Sequence, residues 1–255
     1  MKLSPSSINT FYRCKRLFYY NYILKKSSPP NIHLYKGTFT HKVLENVFLS
    51  SRFIDINEKF VTNVMQDWNP HPSFIKDEKD NEFHKKEVEI MLLTFGKRLK
   101  EKLEMIIFEG KAKELNHAWN LNKPKLREHK IHDEVENITG IIDSIETDYN
   151  DRVYLVDYKT SKLYRHTMPE DYFRQISLYA YLYRQEFGKL PDYVAIHYLR
   201  YGEIFIMPVS EDTITKVLKE VHEMKDFIEK NQNIENYEAC SMSWCDCHTF
   251  DKETI

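Results

Sequence analysis

The chain has 255 residues, of which 30% are charged, and its formal net charge at pH 7 is −2. A charge so close to zero excludes a protein that coats nucleic acid through general positive charge, so such contacts are expected only at a local Lys/Arg patch around one groove. No apolar stretch is long enough for a membrane span, no signal peptide is evident, and four cysteines are typical of a reducing, cytoplasmic location where thiols bind metal or a cluster.

The first half of the chain is predicted to be helical. A serine at position 4 or 6 is a suitable N-cap for the first helix, and apolar residues from Glu87 onward recur at the spacing of a helix face. We expect helices over residues 4–24, 38–50 and 53–113, with a loop over 25–31 and a break near 69–72.

Beyond residue 125 the pattern changes to strands and two further helices. The turn Asp148–Asp151 separates two β-branched runs and predicts a hairpin, and Tyr201-Gly202 predicts a second one. The element order predicts an α/β (α+β) protein, with a mixed sheet between helices and a helical N-terminal insertion. We expect strands over 125–159, 193–199 and 203–208, and helices over 169–187 and 210–230.

The stretch Val153–Lys159 carries the first sign of chemistry. Asp157 and Lys159 are two residues apart in an apolar run, so they point to the same face of a strand. Asp143 lies just upstream, at hairpin distance. Two carboxylates and a lysine suit a divalent metal that activates water against a phosphodiester. The ordinary alternative is a surface salt bridge worth under about 1 kcal/mol.

The helix expected over 169–187 adds two polar residues. Gln175 and Tyr179 are four positions apart, so they share one face of this helix. Because the helix is crowded with tyrosines, Tyr179 has core packing as its alternative role.

Five motifs follow one another along the chain. They are an opening helix over 4–22 in which Cys14 precedes basic and aromatic residues, the segment 37–45 around His41, Gly140-x-x-Asp143, Asp157-x-Lys159 and Gln175-x-x-x-Tyr179. In this order they resemble the RecB-like branch of the PD-(D/E)xK nucleases, above all its CRISPR-associated and phage exonucleases with an iron–sulfur cluster. The resemblance extends from Leu3 to Cys247.

The resemblance implies a metal site. Asp143, Asp157 and the backbone carbonyl of Tyr158 would bind Mg²⁺ or Mn²⁺, which prefer oxygen ligands. His41 would be a further ligand, and an imidazole suits Mn²⁺ better than Mg²⁺. An ordinary histidine on a helix face is the alternative for His41.

The resemblance also implies the remaining catalytic roles. Lys159 would orient or help to deprotonate the attacking water and would stabilise the charge that develops on the phosphate. Gln175 and Tyr179 would hold the water, the lysine or the scissile phosphate.

One cysteine lies near the N-terminus of the chain, and the other three lie near its C-terminus. By resemblance, Cys14, Cys240, Cys245 and Cys247 would bind a 4Fe-4S cluster that joins the two ends of the chain. The spacing C-x4-C-x-C departs from the family pattern of C-x2-C followed by a longer gap. A zinc site of three cysteines and His248 therefore stays open, as do free thiols.

One RecB-like nuclease domain is expected over residues 1–255. Residues 1–124 would be mostly helical, 125–230 would form the nuclease core, and 231–255 would be a cysteine-containing tail that pairs with Cys14.

The predicted function is a metal-dependent DNA exonuclease that prefers single strands and acts in DNA processing, recombination or repair, or in a CRISPR system. One alternative is a DNA-end-binding subunit with little turnover, docked on protein partners in a larger complex, and a sequence-specific restriction endonuclease is another. The aromatic and basic residues of Phe11–Tyr22 could stack on DNA bases or could be core residues.

Overall fold

The N-terminal segment folds as consecutive short helical pieces in the computed structural model, which describes residues 1–49, 52–53, 56–161 and 167–253. The pieces are α1 (Pro5–Arg13), α2 (Lys15–Phe18) and a π-helical turn (Tyr19–Ile23). The prediction of one continuous helix to residue 24 is therefore wrong at Cys14. Its backbone is extended, and its Sγ accepts a hydrogen bond from the Leu17 N–H at 3.3 Å, so the thiol caps α2.

The aromatic side chains of this segment belong to the core. Phe11 is 3% exposed and packs edge-on against Phe18 and Phe227, and Tyr19 packs against Tyr237. The core alternative is the correct one for Phe11 and Tyr19, because neither ring is accessible to a DNA base.

Four helices follow before the sheet. They are α3 (Ile32–Val47), α4 (Ile56–Asp67), α5 (Glu78–Phe108) and α6 (Leu115–Asn122), with a 3₁₀ turn at Pro72–Phe74. The predicted loop over 25–31 and the break near 69–72 are confirmed. Helix α3 begins six residues earlier than predicted, because the Asn31 side chain accepts hydrogen bonds from the N–H groups of His33 and Leu34.

Within the described residues, the sheet has five strands in sequence order. They are β1 (Leu126–Asp133), β2 (Ile138–Thr147), β3 (Val153–Lys159), β4 (Tyr193–Tyr198) and β5 (Glu203–Pro208). All neighbours are antiparallel except β3 and β4, which are parallel and are joined through helix α7 (Glu170–Phe187). A parallel pair requires such a crossover. Both predicted hairpins are confirmed.

Helices cover both faces of the sheet, as the sequence predicts. On one face, α7 packs with α1 and with α8 (Glu211–Lys230), which is capped by Ser210. On the other face, α3, α4 and α5 form a second core that includes Val156 of β3 and Ala195 of β4. Strand β3 is therefore buried on both sides, and any polar side chain on it must find its partners within the protein.

The C-terminal tail returns to the N-terminal helices. It contains a 3₁₀ turn (Ile234–Asn236) and helix α9 (Cys247–Glu253). The Arg16 Nε–H donates to the carbonyl of Tyr237 at 2.7 Å, and the Tyr20 hydroxyl donates to Asp251 at 2.6 Å. No helix in the described part of the chain is both long and apolar enough to cross a membrane.

A buried ionic network joins the helical insertion to the sheet. Lys36 of α3 pairs with Glu87 of α5, and the other Glu87 oxygen accepts from Arg200, just after β4, at 2.8 Å. The Lys36 ammonium also lies 3.2 Å from Nδ1 of His84. Burial raises the pKa of Glu87, but the hydrogen bonds from Lys36 and Arg200 outweigh burial and lower this pKa to about 2. Glu87 therefore neutralises two cations at once.

We predict that Glu87→Gln destabilises the protein more than Lys36→Met does. The first change leaves the buried Lys36 without its anion and should cost about 3 kcal/mol, whereas the second leaves Glu87 paired with Arg200. The ionised carboxylate stabilises the fold above its unfolded pKa, so its contribution is lost as the pH falls from about 4.5 towards 2.

Urea unfolding at neutral pH and near the lower end of this interval tests both statements. The stability difference between wild type and Glu87→Gln should shrink on acidification. A loss of stability in Lys36→Met as large as that in Glu87→Gln, or larger, would contradict the assignment of Glu87 as the residue that neutralises both cations.

Candidate active site

The end of β3 is tied to α7 by charged and amide groups. The Lys159 ammonium lies 2.8 Å from Oδ2 of Asp157 and donates to Oε1 of Gln175 at 2.8 Å. The Gln175 amide nitrogen donates to Oδ1 of Asp157 and to the Tyr179 hydroxyl, each at 2.9 Å. The structure thus brings together four of the predicted site residues in one hydrogen-bonded set.

A glycine makes room for this helix. A Cβ atom on Gly140 of β2 would lie 2.6 Å from Leu182 and 3.2 Å from the Tyr179 ring. A side chain at position 140 would therefore require the buried side chains of Leu182 and Tyr179 on α7 to shift. This close approach explains the glycine in the motif Gly140-x-x-Asp143.

A second group of ligand atoms surrounds the backbone of Tyr158. Nε2 of His41, on α3, lies 3.0 Å from the carbonyl oxygen of Tyr158, and Nδ1 lies 3.4 Å from Oδ1 of Asp143. The other Asp143 oxygen accepts from the Tyr158 N–H at 2.7 Å. Tyr158 stands between Asp157 and Lys159, so its backbone connects the two groups.

Glu128 joins the second group, and sequence reasoning missed it. Its Oε1 lies 3.9 Å from Nδ1 of His41, and its backbone has φ of 44°, in the left-handed region that non-glycine residues seldom adopt. In the ladder between β1 and β2, Arg127 pairs with Ser144 and His129 pairs with Ile142. The residues between them, Glu128 and Asp143, are not paired with each other.

The alternation of side chains reverses at this irregular pair. Ile142 and Ile145 of β2 are three residues apart, yet both belong to the core beneath α7. Residues three apart in a regular strand point to opposite faces. The position of the Glu128 carboxylate depends on the left-handed φ of this residue, and a backbone angle cannot be read from the sequence.

The second group suits a small cation. Ligand atoms of His41, Glu128 and Asp143 all lie within 4.8 Å of one another. They line a cavity of about 10 Å³, about the room that one water molecule needs. One imidazole and two carboxylates form a donor set for Mg²⁺ or Mn²⁺. Asp157 is not part of this group: Gln175 donates to its Oδ1, and its Oδ2 lies 2.8 Å from the Lys159 ammonium but accepts no hydrogen bond from the described residues, so this buried oxygen can still accept a cation.

The buried charges of the site shift the pKa values of His41, Asp157 and Lys159. Burial opposes the charged form of His41, but its contacts with Asp143 and Glu128 raise its pKa to about 10. Burial, with Asp143 nearby, raises the pKa of Asp157, while Lys159 opposes this rise. Burial lowers the pKa of Lys159, but Asp157 outweighs it and the net pKa is raised. A metal bound by His41 must therefore displace a proton.

The four cysteines meet at the junction of the two chain ends. Their Sγ atoms lie within 4.8 Å of one another, and all four are free thiols. His248 is not part of this group, so the three-cysteine-plus-His248 version of a zinc site is wrong. Burial raises the pKa of Cys245 to about 11 and also raises that of Cys247. These thiols are protonated at neutral pH unless a metal holds them as thiolates.

We predict that Glu128→Gly stabilises the fold and weakens metal binding. Glycine adopts a left-handed φ without the cost of about 1 kcal/mol that a side chain incurs there, and the substitution removes one carboxylate from the group around His41. The readouts are the melting temperature and the affinity for Mn²⁺ by calorimetry.

Asn137→Gly is the matched control, because Asn137 has φ of 52° in the turn between β1 and β2. This variant should gain stability and keep its Mn²⁺ affinity. Unchanged Mn²⁺ binding by Glu128→Gly would exclude Glu128 from the metal site.

Comparison with known proteins gives the family. The family model of the PD-(D/E)XK nuclease superfamily matches residues 2–250. The crystal structure of a "Putative exonuclease" from Eubacterium rectale superposes with a TM-score of 0.54 at 12% identity, over 98% of this chain and 88% of that chain, and so shares the fold. No curated protein matches the sequence. The chain belongs to the PD-(D/E)XK nuclease superfamily.

Proposed function

We propose that this nuclease is a metal-dependent DNA exonuclease that hydrolyses phosphodiester bonds and prefers single strands. The observation that carries the proposal is the set Asp157, Lys159 and Gln175, placed one residue along β3 from a cluster of metal-ligand groups. A lysine fixed beside a metal site is the arrangement that attack on a phosphate ester requires.

The metal in this proposal is Mg²⁺ or Mn²⁺. His41, Glu128, Asp143 and the carbonyl of Tyr158 would hold it, with Asp157 beside them. When bound, the ion lowers the pKa of a water molecule and neutralises charge on the phosphate. The imidazole favours Mn²⁺.

Lys159 acts as a cation rather than a base in this proposal. Asp157 raises its pKa, which keeps the ammonium protonated at neutral pH. The amide oxygen of Gln175 fixes its direction, and Tyr179 in turn accepts a hydrogen bond from Gln175. A fixed ammonium stabilises negative charge that develops on the phosphate without having to reorganise.

The cysteines are proposed to hold a 4Fe-4S cluster, in keeping with the resemblance to cluster-bearing exonucleases. One observation favours zinc as the second candidate. Zn²⁺ binds thiolates at about 2.3 Å, which places the sulfurs of a tetrahedral site about 3.8 Å apart. The four Sγ atoms here lie within 4.8 Å of one another, close to that spacing.

The wider setting in this proposal is the cytoplasm, in DNA processing, recombination or repair, with residues 1–255 acting as one nuclease domain. The alternative is a DNA-end-binding subunit with little turnover, in a larger complex such as a CRISPR or recombination assembly. The intact set of Asp143, Asp157 and Lys159 favours the catalytic form, because a subunit without turnover does not require all three.

We predict that the protein with Mn²⁺ digests linear single-stranded DNA faster than blunt duplex and leaves closed circles uncut. An exonuclease must receive a free end, and fraying a duplex end costs a few kcal/mol. Labelled DNA of the three forms in one competition gives the readout. Rapid cutting of closed circles would indicate an endonuclease. Faster digestion of blunt duplex than of single strands would contradict the proposed preference for single strands.

Three variants test the chemistry in the same assay. Asp143→Asn and Asp157→Asn should abolish cleavage, and Lys159→Ala should lower turnover by about 10²–10³ with little change in DNA binding. Asp151→Asn, on the exposed β2–β3 turn, is the control and should cleave normally. Parental rates in either aspartate variant would show that the site is misassigned.

We predict that protein purified without oxygen is brown and that Cys14→Ser removes the colour and lowers the melting temperature. A centre that joins Cys14 to the tail closes a loop over almost the whole chain, and such closure restricts the unfolded state strongly. Absorbance and metal analysis are the measurements. Colourless protein that contains one zinc ion would show that the cysteines bind zinc and not a cluster. Protein that contains neither iron nor zinc would exclude both assignments.

A further inference from the structure

A groove beside the candidate active site has no role in the chemistry described so far. It has a volume of about 460 Å³, within the range of roughly 300–1,000 Å³ that ligand sites occupy. One wall is the N-terminal segment, where Leu3 pairs with the β1–β2 hairpin through its N–H to Asn137 and its carbonyl to Thr139. The groove is lined by residues 2–6, Lys130, residues 139–141 and Tyr179.

The charged side chains that line this groove are all cations. Lys2 and Lys130 contribute from the N-terminal segment and from β1, both are exposed, and the lining includes no carboxylate. Neither lysine forms an ion pair with a residue in the described part of the chain. In a chain with a net charge of −2, this pair is a local positive site of the kind that a polyanion recognises.

Two other polar side chains of the groove already have partners. The Ser4 hydroxyl accepts from the Ser7 N–H in a capping box, and the Thr139 hydroxyl lies 2.8 Å from Nδ1 of His132. Ile141 is 45% exposed and adds an apolar surface. Two cations above an apolar floor fit a sugar–phosphate backbone better than they fit a base edge, which needs directed hydrogen bonds.

The groove is continuous with the candidate active site. Tyr179 lines it, and the Tyr179 hydroxyl accepts from Gln175, which contacts Asp157 and Lys159. Gly140 also lines it and precedes Asp143 by three residues on β2, a separation of about 10 Å along a strand. That is the length of about three stacked nucleotides at ~3.4 Å each, or fewer in an extended strand.

We propose that this groove binds the phosphodiester backbone of the DNA strand, within about three nucleotides of the cleaved bond. The inference rests on the proposed nuclease function of the adjoining site. Lys2 and Lys130 each neutralise a phosphate, and the contact is independent of base sequence. The groove therefore holds the strand in register while the terminal nucleotides reach the metal.

The test measures binding separately from cleavage. A fluorescein-labelled 12-nucleotide oligothymidylate is titrated with the protein in EDTA, by anisotropy, at several salt concentrations. Each of Lys2→Gln and Lys130→Gln should reduce the slope of log affinity against log salt by about 0.7, and the double variant by about 1.4. An oligonucleotide of mixed sequence should show the same losses.

Lys216→Gln is the matched control, because Lys216 is an exposed lysine on α8 that does not line the groove. It should leave the slope unchanged, and equal melting temperatures should show that all variants are folded. The inference is overturned if the double variant keeps the wild-type slope, if Lys216→Gln lowers the slope as much, or if the wild type binds no oligonucleotide.

The outcomes separate the groove from the proposed function. Cleavage by the wild type together with an unchanged slope in the double variant would reject the groove and leave the nuclease activity in place. A reduced slope in a protein that cleaves no DNA with either metal would support the groove and reject the exonuclease proposal.

Discussion

The burial of β3 on both faces is the constraint on which the rest of the site depends. Asp157 is buried and Lys159 is half-buried at the end of this central strand, where an uncompensated charge is costly. They can be accommodated only because they neutralise each other and because Gln175 satisfies one atom of each. Helix α7 is thereby held in one position over the sheet, and Gly140 is small because the helix lies so close.

The site draws on both faces of the sheet at once. Gln175 lies on α7 at one face of the sheet, and His41 lies on α3 at the other face. A regular, fully paired sheet would keep these two side chains apart. The β2–β3 ladder ends at Ser144 and Val156, so the N–H of Tyr158 is left to bond Asp143 and its carbonyl to contact His41. The left-handed backbone of Glu128 brings its carboxylate near His41, at the kind of conformational cost that often accompanies functional sites.

Sequence reasoning succeeded where a signal is local. The spacing of Asp157 and Lys159 on a strand, and of Gln175 and Tyr179 on a helix, correctly placed these side chains in contact. It failed where the decisive partner is distant. The break at Cys14 does not interrupt the helical pattern of the sequence, because it depends on contacts with the C-terminal tail. The position of the Glu128 carboxylate depends on the left-handed φ of this residue. The early start of α3 was also missed, although the asparagine at position 31 is of a residue type that caps helices.

The meeting of the two chain ends at the cysteines has a consequence for biosynthesis. Cys14 leaves the ribosome more than two hundred residues before Cys240, an interval on the order of ten to forty seconds at about 5–20 residues per second. Leu3 has no Ile138 to pair with for about the first half of this time, and α1 has no complete α7 to pack against until residue 187 has been made. The cysteine site and the packing of α1 therefore form late in synthesis, and the first thiol of the chain has none of its three partner thiols until the tail has been made.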